Sequence, residues 1–428
     1  MSVRFRIDLT PLRASRDFRI LFGSGTVFAL GLMFGFVAVP YQLFQLTGSS
    51  LAVGIIGAVE LVPFIVFGLY GGSLSDRLDR RTVQLVTGAG QVLLAMILLI
   101  NALLDAPQAW LLYAVAGLTA VLSALQRPSR DALLPRVVDH EDIPAAVALS
   151  SFGLQLGMLV GPAAAGLVIA GAGLPAAYAI EAIGLGAATV CLLGLRRHPP
   201  TGGPATGHLA AIGAGLRYVR QRRDLVGTYL VDLVAMVLAM PIVLFPAFAL
   251  QVVNRPDLLG LLYAAGAVGS LITTLTSGWT RRVRRHGRAV ALAAIGWGAA
   301  IALAGLAPNV WITLLFLVLA GGLDTISGLF RSVIWNQTVP DALRGRLAGI
   351  EMISFTVGPV GGQLRSGIMA DLSTVRTAIV SGGILCVVGV AAVAVGFREL
   401  WRYDSGTDEH AVNQRTVRTQ RRIASHAE

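Results

Sequence analysis

The chain has 428 residues, 55% of them hydrophobic and 13% charged, where an ordinary soluble domain carries about 25% charged residues. All 34 basic residues are arginine, against 23 acids, for a formal net charge of +11. The absence of lysine excludes a Walker A phosphate loop or a Schiff base and so argues against an ATP-driven pump built on this chain alone.

The charge deficit is uneven. Apolar tracts of about 20 residues, the length that crosses a hydrocarbon core, alternate with short charged connectors. Twelve helices are predicted, at 18–43, 51–74, 83–104, 109–127, 144–170, 175–195, 225–250, 258–279, 289–307, 310–332, 345–370 and 376–397. The apolar run from Ile20 to Leu46 is too long for the core of a cleavable leader and reads as the first retained helix. One set of connectors is short and nearly uncharged (45–50, 105–108, 171–173, 253–257, 308–309 and 371–375); the other is arginine-rich (77–81, 127–142, 196–223, 281–288 and 331–346). By the positive-inside rule both termini are cytoplasmic. This places 31 of the 34 arginines on that side, leaving Arg255, Arg365 and Arg376, and it accounts for the positive excess without a nucleic-acid partner. An odd number of spans would break the alternation.

The expected fold is an all-α integral membrane protein with twelve transmembrane helices in two six-helix pseudo-repeat bundles. Residues 1–17 form a cytoplasmic N-terminal segment, 18–195 the first bundle, 196–224 a cytoplasmic loop, 225–400 the second bundle and 401–428 a disordered cytoplasmic tail. The loop carries Pro199-Pro200-Thr201-Gly202-Gly203-Pro204, and 209–223 is a candidate amphipathic surface helix. Cys191 and Cys386 sit inside apolar runs and read as small buried hydrophobes, with no disulfide or metal site. All six histidines fall in polar connectors, which leaves no intramembrane metal ligand, and no cofactor is expected.

Ionisable residues inside a bilayer cost about 2.5–3.5 kcal/mol each at a helix centre and are functional candidates by default. Five acids qualify: Glu60, Glu181, Asp232, Asp324 and Glu351. Glu181 lies near the outer end of its helix and reads as interfacial. Asp324 and Arg331 are seven residues apart on one helix face, about 10 Å along the axis. Glu351, Gly358 and Arg365 repeat the same spacing, and Arg365 needs a carboxylate or a wet cavity. Asp232 and Glu60 rank first as proton carriers, because each is isolated in an apolar helix where desolvation favours the neutral acid. The competing reading pairs either with Arg365 or with a backbone group of helix 11. Phe28, Met33, Phe34 and Phe36 in helix 1, with Met236 and Met240 in helix 7, offer a soft cavity for an amphipathic molecule, or else ordinary packing.

The halves repeat weakly. Gly72, Asp76, Arg77, Arg80 and Arg81 match Gly278, Arg281, Arg282, Arg284 and Arg285 in position, and Gly161-Pro162 matches Gly358-Pro359. The run Gly72, Leu74, Asp76, Arg77, Arg80, Arg81 resembles motif A of the major facilitator superfamily, with Asp79 where that family usually has glycine. Gly157, Gly161, Pro162 and Gly166 resemble its antiporter motif, G-x-x-x-G-P-x-x-x-G, a mark of exporters. Arg16-Asp17-Phe18-Arg19, Leu46-Thr47-Gly48-Ser49-Ser50, Gln126-Arg127-Pro128-Ser129-Arg130 and Trp335-Asn336-Gln337-Thr338-Val339-Pro340 resemble the enterobactin-exporter-like branch of the drug:proton antiporter type 3 group, over about residues 14 to 400. The chain departs in helix 4, where Trp110 to Leu125 lacks the arginine of many proton-coupled members.

The resemblance implies a secondary active transporter of the inner (cytoplasmic) membrane, acting as a monomer in the lipid bilayer. It would export drug-like or siderophore-like small molecules by alternating access, in exchange for protons. It also implies a cytoplasmic gate in which Asp76 sits at the N-terminus of helix 11 and Arg80 pairs with Asp131; the alternative is a set of solvated topogenic charges. The helix 5 motif would keep an interface clear and allow a bend at Pro162, or serve generic packing. Two other functions stay open. One is an importer or uncoupled transporter, supported by the uncharged helix 4. The other is a non-transporting membrane sensor, for which neither terminus supplies a sizeable soluble domain. No H-E-x-x-H or G-x-S-x-G is present, so no enzyme site is visible.

Overall fold

A computed structural model describes residues 8–75, 79–196, 222–339 and 341–416; for 69–75, 281 and 341–355 the description is of the backbone alone. Asp76, Arg77 and nearly all of the predicted surface helix at 209–223 lie outside the described residues. Among the described residues the architecture is helical with no strand, and ten helical runs are long and apolar enough to cross a membrane.

Helix α1 spans Arg16–Thr47, α2 Ser50–Ser75, α3 Arg80–Leu103 and α4 Ala109–Leu133. The element Ile143–Cys191 is broken at Gly173 (φ 81°, ψ 176°), giving α5 at 143–172 and α6 at 174–191. Then follow α7 Arg223–Ala239, α8 Leu259–Leu275, α9 His286–Leu306, α10 Val310–Thr338, α11 Asp341–Leu372 and α12 Val375–Gly396.

The ends are set by local chemistry. Ser15, Asn309 and Thr374 cap α1, α10 and α12 by accepting from backbone N–H groups that have no intrahelical partner. Gly48 ends α1 at φ 65°, a left-handed conformation that costs glycine nothing. Asp79, the departure from motif A, is the N-cap of α3: its Oδ1 accepts from Arg81 N at 3.2 Å and its Oδ2 from the Thr82 hydroxyl at 3.3 Å.

Two compact units emerge, Met1–Ala205 with Phe245–Ala264, and Thr206–Leu244 with Ala265–Glu428. In the first, α1 is gripped by small residues on two sides. A Cβ on Gly157 or Gly161 of α5 would press on Ala29 or Met33, while Gly31 of α1 and Gly184 of α6 face each other. In the second, α7 packs against Gly358, Gly361 and Gly362 of α11 through Met236, Val237 and Met240, and Val234 and Leu238 meet Gly389 of α12. Without a hydrophobic driving force between helices in lipid, such close approach supplies the packing.

Four expectations are revised. The seventh helix, expected to run over 225–250, ends at Ala239. Met240 is extended (ψ 108°) ahead of Pro241, and a 3₁₀ turn Ile242–Leu244 and a π turn Phe248–Val252 follow. A residue before proline is pushed out of the helical region, and Pro241 and Pro246 both remove backbone donors. Cys191, expected to be buried, is exposed, while Cys386 is buried against Gly298. His286, placed in a connector, opens α9 and is buried between Phe330 and Tyr403. The tail, expected to be disordered from 401, is ordered as far as 416. Leu400 packs on Gly227 and Gly287, Tyr403 is buried with its hydroxyl donating to Gln337 Oε1 at 3.2 Å, and 409–416 is helical.

Replacing Asp79 with alanine is expected to cost about 0.5–2 kcal/mol, seen as a lower thermal midpoint of the detergent-solubilised protein. Asp79→Asn, which keeps an acceptor at the cap, is expected to hold the midpoint.

Candidate functional site

The second unit gathers charge on two helix faces. On α10 the residues Asp324, Thr325, Gly328, Arg331 and Ser332 follow the i, i+1, i+4, i+7, i+8 spacing of one face. On α7 the positions Asp232 and Met236, with Met240 just past the helix end, are four apart. Arg331 joins the two faces: its Nη1 forms an ion pair with Asp232 Oδ1, and Asp232 is 4% exposed. Asp324 lies within electrostatic reach of both Arg331 and Asp232.

A cavity of 490 Å³ opens beside these charges, within the size range of small-molecule sites. Met236, Met240, Leu329 and Pro359 form its apolar wall; Asp324, Thr325, Arg331 and Ser332 form its polar one. Gly358 and Gly362 of α11 back the two methionines, and Ser366 of α11 donates to the Met240 carbonyl at 2.9 Å, which satisfies an acceptor freed where α7 stops. Asp324 is an acid beside an Arg331 already in an ion pair with Asp232, so a proton or a cationic ligand group can be accepted at its carboxylate.

Several predicted partners differ. Asp232 is not isolated but paired, and its partner is Arg331 rather than Arg365. Arg331 pairs across to α7, not only along its own helix with Asp324. Among the described residues no carboxylate pairs with Arg365: Nη1 donates to the Ala378 carbonyl at 3.2 Å and Nη2 to the Ser381 hydroxyl at 3.1 Å, both on α12. Gly382 makes this possible, since a Cβ there would come within 2.7 Å of Arg365 Nη1. Glu60 lies on an exposed face of α2. Glu351 falls in α11, and its side chain is outside the described residues.

In the first unit, Gly72 lies within α2, while Asp76 and Arg77 are not described. Arg80 is buried and its Nη1 donates to the Ala132 carbonyl at 3.0 Å, one residue beyond the exposed Asp131 with which a pair was expected. Arg81 donates to the carbonyls of Leu192 at 3.4 Å and Leu193 at 2.6 Å. These are carbonyls at helix C-terminal ends, which lack intrahelical donors and attract cations. Of the helix 5 motif, Gly157 and Gly161 face α1, and Pro162 and Gly166 lie against Gly260.

The helix 1 cavity residues do not converge. Met33 packs on Gly161, and Phe36 is 43% exposed, edge-on to Tyr263 at 5.6 Å. Phe34 is buried. Phe28 borders a 20 Å³ cavity with Ser24, Gln84, Gln126 and Arg130. Sequence reasoning missed Thr325 and Ser332, although each adjoins a charged residue at helical spacing. It also missed Arg130, which sits at the end of the helix whose middle carries no charge; its guanidinium lies against Gly25.

The chain as a whole is similar to known proteins. A family profile described as transmembrane secretion effector matches residues 7–420. The enterobactin exporters EntS of Shigella boydii serotype 18 and of Escherichia coli O81 are each 28% identical over 390 residues, which covers 91% of this chain and 94% of theirs. The fold is similar to a bacterial homologue of the human lysosomal transporter Spinster in an inward-facing, unoccupied conformation (TM-score 0.70, 15% identity, covering 91% of this chain and 98% of that one). It is also similar to the POT family transporter PepTSo (TM-score 0.69, 13% identity, 90% and 98% covered).

Removing one partner of a buried ion pair costs about 3–5 kcal/mol. Arg331→Gln removes the cation that is ion-paired with Asp232 and lies beside Asp324, and is expected to reach that range, whereas Asp232→Asn keeps Arg331 beside Asp324 and is expected to cost less. Thermal unfolding of the purified variants checks the order; equal losses would show that Asp324 takes no part in the group.

Proposed function

The chain belongs to the transmembrane secretion effector family of the major facilitator superfamily, and from that premise we propose that this efflux transporter is a proton-coupled exporter of small amphipathic molecules. The observation that carries the reading is an Arg331–Asp232 ion pair next to Asp324 on the wall of a methionine-lined cavity. A proton and a ligand hydroxyl or cationic group compete for the same Asp324 carboxylate, and mutually exclusive occupancy of one site is what exchange requires. The cavity's soft thioether walls suit amphipathic, drug-like molecules. Its similarity to enterobactin exporters favours a siderophore-like substrate.

The proposed layout is twelve spans, α1 to α12, in two six-helix repeats within the inner membrane, with both termini cytoplasmic, working as a monomer by alternating access. Two features support the repeat: α1 packs through glycine on α5 and α6, as α7 does on α11 and α12, and Gly161-Pro162 and Gly358-Pro359 occupy matching helices. The arginine distribution supports the orientation. Motif A would form the cytoplasmic gate, with Arg80 and Arg81 pinning the start of α3 to carbonyls at the ends of α4 and α6. The uncharged stretch 110–125 favours a second reading, transport of the same kind without proton coupling or in the inward direction.

Efflux of ethidium and of enterobactin from energised vesicles containing the full-length chain separates the readings. Export that collapses on adding a protonophore, and that loses its protonophore sensitivity in Asp324→Asn, is expected. Export indifferent to the protonophore would overturn the coupling, and uptake in place of efflux would overturn the direction.

A further inference from the structure

In the first unit, Glu181 of α6 is a buried acid that the site above does not use. It is 6% exposed, its Oε2 meets no hydrogen-bond donor, and among the described residues no cation pairs with it. It is therefore enclosed by protein, wherever along the membrane normal it lies. The carboxylate lies directly on the backbone of α1 at Gly35, where any Cβ would collide with both of its oxygens. One turn earlier on α6, the wholly buried Tyr178 gives its hydroxyl proton to Gln42 Oε1 of α1 at 2.7 Å, so that donor is taken.

The surrounding elements offer little else. Tyr178 interacts electrostatically with Glu181. Helix α1 carries Arg16, Asp17 and Arg19 at its start and Tyr41 near its end; α3 carries Arg80 and Arg81 at its start; neither helix has a further titratable side chain. Beside the acid, Ala182 and Leu185 pack with Ala95 and Val92 of α3.

An ionised carboxylate in this seat would be both desolvated and unpaired, the most costly state for a buried polar group. A protonated one is neutral and fits against Gly35. Losing the proton places a charge on the α1–α6 contact that α1 cannot compensate, and relief requires water or a donor to enter where Gly31 and Gly184 now touch. Proton occupancy and α1–α6 packing are thus linked. We propose that Glu181 is a second proton-carrying residue, one that couples protonation to the separation of α1 from α6. The inference rests on the proton-exchange reading for its role in transport, but its protonation can be observed independently.

The test uses purified full-length protein. Infrared difference spectra across a pH titration are expected to show the carbonyl band of a protonated carboxylic acid that is absent in Glu181→Gln and returns, shifted, in Glu181→Asp. A band unchanged in Glu181→Gln overturns the proposal. In proteoliposomes loaded with ethidium, the ratio of efflux rates with and without an imposed pH gradient is expected to fall to unity in Glu181→Gln. A wild-type ratio above unity that Glu181→Gln leaves intact overturns the coupling role alone. A wild-type ratio of unity overturns the exchange reading, and this role with it.

Discussion

An unpaired charge in hydrocarbon is the most expensive object this chain can contain, and its organisation follows from that cost. Nearly all arginines lie in connectors or helix ends. Those that enter the spans are tied to an acceptor. Arg331 is held by Asp232 across a helix contact. Arg365 reaches a carbonyl and a hydroxyl on α12. Arg80 and Arg81 take the carbonyls that helix ends leave without donors. Backbone carbonyls serve as acceptors in three of these four cases, so a census of acids alone cannot find all the partners.

Glycine makes those seats. The chain carries 50 glycines, a residue that lets membrane helices approach closely, and many do so: Gly157 and Gly161 against α1, and Gly358 and Gly362 against α7. Others admit a charged group. Gly382 leaves the space that Arg365 fills, Gly25 the space against the Arg130 guanidinium, and Gly35 the space of the Glu181 carboxylate. At each, a methyl group would displace an ionisable side chain from its seat, so substitution there acts on electrostatics as well as packing.

Much of the helical plan was legible because it depends on one-dimensional quantities, namely apolar length and the alternation of arginine-rich with uncharged connectors. Local breaks were less so. The end of α7 follows from Pro241 and Pro246, which a hydropathy window averages away. Asp79 looked like a defect in a motif, yet an acid just before Arg80-Arg81-Thr82 is also an N-cap pattern. The site was half legible. Asp324 and Arg331 share a face by spacing, and Met236 follows Asp232 by four residues, but spacing along one helix cannot say which neighbouring helix supplies the partner. The same limit hid the burial of Glu181: its distance from the helix end was visible, whereas the approach of Gly35 is a tertiary fact.

The pairing of Asp232 changes which acids are suited to carry protons. A carboxylate with its own arginine is compensated when ionised, so adding a proton would uncover a positive charge and be opposed by it. The acids that gain from a proton are those in excess of the available cations. In the second unit the candidate is Asp324, which stands beside an Arg331 already in an ion pair with Asp232. In the first unit the buried candidate is Glu181, which has no cation among the described residues. Isolation of an acid in the sequence is therefore a poor guide to its use. The relevant quantity is the local balance of charge, which is set by the helices that pack around it.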